Sequence, residues 1–126
     1  MARRRLAPIC LAAALATAGH AQDLDRVSSA GHSYIVDCNE DGYVLTSRYP
    51  VGRFLGSTGA STRVEVETET LYLGRSCDAF HPKFGQGQWE RSNGGFVLEF
   101  NNLRIGFPRQ DLDCPIPDQD IGGCFN

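Results

Sequence analysis

The feature that most constrains this chain is the pair Asn93-Gly94, followed by Gly95 and set between two candidate strands. Asn-Gly supports the positive φ angles of a tight hairpin turn, and alternation with period two gives each flanking strand one face toward a core. Gln88 to Ser92 leads into the turn, and Phe96 to Phe100 leads out. The turn pair is Asn93-Gly94 or Gly94-Gly95; either register puts Trp89 and Arg91 on the face of Phe96 and Leu98. Asn101-Asn102 then turns the chain again. Leu103, Ile105 and Phe107 supply the next apolar face, which Pro108 ends.

The same pattern runs backward through the chain. His32 to Cys38, Tyr43 to Tyr49 and a brief Arg53 to Gly56 read as strands separated by Asn39-Glu40-Asp41-Gly42 and by Pro50. Ser57 to Thr62 is a loop of small residues. From Arg63 to Glu69 the alternation is strict, with Val64, Val66 and Thr68 on one side and Glu65, Glu67 and Glu69 forming the wet face. Leu71 to Gly74 is a further strand, and Asp78 to Gly87 reads as a loop. No stretch has helical periodicity. The expected fold is all-β: a small antiparallel barrel or sandwich of about eight short strands.

The 126-residue chain opens with Arg3-Arg4-Arg5, an apolar stretch from Leu6 to Ala18, and Gly19-His20-Ala21. That is the layout of a secretory signal peptide cut before Gln22. The apolar stretch falls short of the roughly 20 residues that cross a bilayer, so no membrane span is expected. Residues 22–126 then carry nine basic and 15 acidic side chains, a net charge of −6. Such a charge repels phosphate backbones and excludes nucleic acid as a natural partner. The organisation expected is a signal peptide at 1–21, a flexible leader at 22–31, a β-domain at 32–108 and a tethered tail at 109–126. The location is periplasmic or secreted.

Cys38, Cys77, Cys114 and Cys124 remain after export. An even count in a small exported domain reads as two disulfides. Of the three pairings, Cys38–Cys77 with Cys114–Cys124 is preferred here, because the last two bracket a proline-containing loop. Asp37, Asn39 and Asp41, followed by Gly42, match the first half of a calcium loop, in which alternate oxygens converge on a hard cation. The twelfth position is Arg48, not a bidentate glutamate. The alternative is a hairpin whose Asn, Asp and Gly serve turn geometry. Calcium is thus the one cofactor the sequence raises. No nucleophile elbow, zinc-protease helix or phosphate-binding loop occurs. His81, beside Pro82, reads as a loop residue, and Asp111, Asp113, Asp118 and Asp120 as a solvated tail. An enzyme built on His81 and that tail is the alternative to a chain without catalytic activity.

Tyr34, Cys38, Gly42 and Tyr49, with the later hairpin of Trp89 and Gly94-Gly95, resemble the periplasmic inhibitors of C-type lysozyme over residues 33–107. The resemblance implies a small β-fold that blocks the lysozyme cleft with a loop of small residues. In this sequence that loop corresponds to Ser57 to Thr62, with Ser57 and Ser61 offering hydroxyls and Arg91 as the cation facing a catalytic carboxylate. It implies a basic protein, lysozyme, as the partner; a calcium-binding structural domain is the alternative role. Mass spectrometry of the exported chain should find Gln22 at the N-terminus, and a mature species retaining Met1 or Cys10 would contradict the signal assignment.

Overall fold

The structure, a computed structural model, describes residues 25–56, 62–114 and 124. Ten strands follow one another: β1 (Asp25–Val27), β2 (Ser33–Asn39), β3 (Gly42–Ser47), β4 (Val51–Leu55), β5 (Arg63–Glu67), β6 (Thr70–Gly74), β7 (Asp78–His81), β8 (Gly85–Ser92), β9 (Gly95–Phe100) and β10 (Leu103–Phe107). Eight of them form one antiparallel sheet in the order β1-β2-β3-β6-β7-β8-β9-β10, curled into a nearly closed barrel. The pair β4–β5 is a separate two-stranded sheet, inserted between neighbours β3 and β6. No described helix is long and apolar enough to cross a membrane.

Alternation places the core. Tyr34 and Val36, Tyr43 and Leu45, Leu71 and Leu73, Trp89, Phe96 and Leu98, and Ile105 and Phe107 are all buried. Each large apolar side chain so removed from water contributes about 1.5–3 kcal/mol. Phe96 stacks on Phe107 at 4.4 Å, and Tyr34 meets Phe107 edge-on at 5.4 Å. Ser92 pairs with Gly95, so the hairpin turn is Asn93-Gly94, with φ of 52° and 75°. Arg91 pairs with Phe96 and Trp89 with Leu98, the face expected from the sequence.

Two strands went unread in the sequence. The segment 22–31, expected to be a flexible leader, contains β1, which pairs with Ser33–Ile35 despite having no apolar alternation. Within the expected 78–87 loop lies β7, where only Ala79 and His81 point inward. The barrel's two outer strands are joined by a few side-chain and backbone bonds rather than a ladder. The Gln110 carboxamide accepts from the Val27 N–H and donates to the Val27 carbonyl, both at 2.7 Å, so one side chain stands in for a strand residue. Ser29 N donates to the Gly106 carbonyl at 2.8 Å beside it.

The C-terminal segment closes one barrel end. Leu112 is fully buried, and its carbonyl accepts from the Tyr43 hydroxyl and from Arg91 Nη2. All four cysteines are paired, but as Cys38–Cys114 and Cys77–Cys124, not as the sequence spacing favoured. The correction has a topological cause. Cys38 lies near the end of β2 and Cys77 follows β6, with β3 between those strands, whereas Cys114 and Cys124 each lie beside one of them. Peptide mapping of the unreduced protein should recover these two links. Replacing Cys38 and Cys114 together by Ser should lower stability by about 2–5 kcal/mol in a denaturant titration.

Candidate functional site

The β4–β5 sheet, here called the arm, emerges from the barrel end that carries Ser47, Thr70 and His81. Its alternation is as strict as the sequence indicates, but its faces are reversed. Val51 is buried, and Arg53, Leu55 and Glu65 are half-buried on the side toward the barrel. Phe54, Val64 and Val66 are 74%, 55% and 67% exposed on the other side. The glutamates are therefore not simply a wet face. The reversal goes with a set of charges at the barrel end that Arg53, on this face, satisfies.

Glu69 lies at its centre, in the link between β5 and β6, and is fixed first through its backbone. Ser47 N donates to the Glu69 carbonyl, and Glu69 N donates to Ser47 Oγ, both at 2.8 Å. The side chain, 3% exposed, is then met by three others. Arg53 of β4 donates from Nε to Oε2 at 2.8 Å and from Nη2 to Oε1 at 2.7 Å. The Tyr34 hydroxyl of β2 donates to Oε1 at 2.6 Å. His81 Nε2 of β7 lies 2.8 Å from Oε2. His81 Nδ1 accepts from the backbone N–H groups of Lys83 and Phe84, which leaves Nε2 as the protonated nitrogen that donates to the carboxylate. Phe84 and Phe100 pack edge-on against the imidazole.

Burial alone would push the Glu69 carboxyl up. The donations from Arg53, His81 and Tyr34 outweigh it and hold the carboxyl well below the usual range. The Tyr34 hydroxyl is pushed far above its usual value by burial and by the Glu69 carboxylate, so it remains a donor. Outside this knot, Lys83 Nζ contacts Glu65 at 2.8 Å and Glu67 at 3.3 Å, clasping β5 to the turn after β7. A cleft of about 220 Å³ remains between arm and barrel, lined by Val51, Arg53, Leu55, Glu65, Lys83 and His81 among others.

His81, expected in a loop, is thus a buried strand residue with both ring nitrogens engaged. As arranged, the cluster presents neither a free base nor a nucleophile to solvent; what it does is fix the arm. Ser57 and Ser61, expected to enter a partner's cleft, lie outside the described residues. Arg91 is at the opposite end. Its guanidinium donates to Tyr43 and Leu112 and lies over the Trp89 ring, and Tyr43 is four residues along β3 from the arm, roughly 13 Å at strand rise. The structure does not bring Arg91 and the arm together.

Asn39 ends β2, and Asp41 lies in the two-residue turn to β3. The Asn39 side-chain oxygen accepts from the N–H of Asp41 and Gly42, and Asp37 Oδ1 accepts from the N–H of Cys38. These oxygens serve local turn geometry, and among the described residues no group of three His, Cys, Asp or Glu converges as metal ligands. The Glu69 cluster was missed because its members are far apart in sequence; the slight signal was a glutamate directly before the apolar run of β6. No protein-family model, curated protein or solved structure matches the chain.

The depressed titration of Glu69 fixes the sign of a pH effect. Its stabilisation is complete above the ordinary value of 4.5 and is lost as pH falls below it toward the folded value. Glu69→Gln should cost about 3–5 kcal/mol at neutral pH, since it leaves Arg53 without its counter-charge. It should also flatten the acid limb of the stability curve; an acid limb as steep as that of the unaltered protein would contradict this role.

Proposed function

We propose that this chain is an exported protein-binding module that presents the β4–β5 arm to a basic partner, with C-type lysozyme as the target. The observation that carries the reading is the arm itself: a two-stranded sheet outside the barrel ladder, held at its base by a buried ion cluster. An element fixed in this way loses little freedom on docking, which favours affinity. The residues that join its strands, Ser57 to Thr62, are small enough to enter a narrow cleft. Two disulfides suit an oxidising compartment, in keeping with the signal-peptide pattern at the N-terminus.

The net charge of −6 on residues 22–126 steers a cationic enzyme toward the module. Arg91 has no part in this reading. The cation nearest the end of the arm is Arg63, at the start of β5, with a side chain 65% exposed. Inhibition is steric: the arm occupies the space that substrate needs, and no bond is made or broken.

The test is a titration of residues 22–126 into C-type lysozyme while cell-wall hydrolysis is followed. Inhibition that weakens as salt rises is expected, because charge steering is screened. No inhibition at tens of micromolar, about −6 to −7 kcal/mol on the affinity scale, would overturn the lysozyme reading.

A further inference from the structure

The outer face of the arm is the surface least explained by the fold. Phe54 stands directly opposite Val64, and Gly52 directly opposite Val66, so all four positions share one face. Three of them carry large apolar side chains that are more than half exposed. Exposed apolar side chains scattered singly need no explanation, but three neighbours on one flat sheet mark a contact surface. Among the described residues nothing covers them, because the opposite face of the arm is the one bound to Glu69 and Lys83.

We infer that this face docks against the same face of a second copy of the chain. The first argument is shape. A two-fold contact must be self-complementary, so each projection needs a recess on the same surface. Phe54 is the projection. Gly52, two residues before it on the same face, is the recess: a Cβ placed there would meet only Val66 Cγ2 at 3.6 Å and Val64 Cγ1 at 3.8 Å. A two-fold axis between positions 52 and 54 seats each Phe54 ring over the other copy's Gly52, walled by Val64 and Val66.

The second argument is charge. The cations of the arm are neutralised within the copy, Arg53 by Glu69 and Arg63 by Glu65, while Lys83 offsets Glu65 and Glu67. The arm can therefore meet its twin without opposing like charges at close range. The third argument is area. Three such side chains per copy, at these exposures, bury at most about 800 Å² in total, less than a stable specific interface needs. The dimer is accordingly weak and concentration-dependent.

This inference is independent of the lysozyme reading, and salt separates the two. Both copies are acidic, so screening strengthens self-association, whereas it weakens attraction to a basic partner. The experiment is sedimentation equilibrium of residues 22–126 up to about 1 mM, a range that captures weak interfaces. A monomer–dimer equilibrium that tightens with salt is expected. Phe54→Asp should raise the dimer dissociation constant at least tenfold. Gly52→Val fills the recess with ordinary contacts inside its own copy, and should do the same with an unchanged melting curve. A monomer throughout, or a dimer indifferent to either substitution, would overturn the proposal.

Discussion

A carboxylate withdrawn from water must find donors in the protein, and around Glu69 that requirement organises one whole end of the molecule. Its two oxygens draw in Tyr34 from β2, Arg53 from β4 and His81 from β7, three segments that otherwise share little. A buried ion pair with incomplete hydrogen bonding would cost more than it returned. Here the guanidinium binds through two nitrogens, and the imidazole is held in one tautomer by two backbone amides. The cluster is therefore less a source of net stability than a means of choosing one geometry among the many that an inserted hairpin could adopt.

That choice explains why the arm wears its apolar side outward. A hairpin with one charged and one apolar face normally turns the apolar face to the core. At this barrel end the Glu69 carboxylate needs a cation, and Val51 of the arm is buried on the same side. Arg53 answers that need, and because Arg53 and Phe54 are successive residues of one strand, Phe54 must point away. The exposed apolar face is the geometric complement of the buried salt bridge. Burial and polarity are coupled through the simplest property of a strand, that neighbours face opposite ways.

Much of the barrel was legible in the sequence because its signals are local. Asn93-Gly94, the alternation of Phe96, Leu98 and Phe100, and the run Leu103, Ile105, Phe107 each declare a strand and its inward face within a few residues. The elements that escaped depend on distant partners. Asp25–Val27 becomes a strand only because β2 offers it an edge, and His81 becomes a core residue only because Glu69 waits across the barrel end. Periodicity in Arg63 to Glu67 gave the two faces correctly but could not say which would face the barrel, since that is decided by a charge elsewhere in the chain. The disulfide pairing likewise follows from where the fold sets Cys114 and Cys124 against Cys38 and Cys77, which spacing does not encode.

The seam closed by Gln110 gives the barrel a different kind of edge. Where two strands share a ladder, parting them breaks several bonds in concert. Here the carboxamide carries both bonds to Val27, and a change of rotamer releases the pair at once. The seam thus joins a side-chain latch to a backbone bond, Ser29 N to the Gly106 carbonyl, and the rotamer change by itself frees only Val27. Only with the Ser29–Gly106 bond parted as well would β1 and β10 become free edges, the usual invitation to pairing between chains. Cys114, four residues beyond Gln110 and bonded to Cys38 of β2, keeps the released segment within reach, so the strand neighbouring β1 also holds the tether that lets the latch close again.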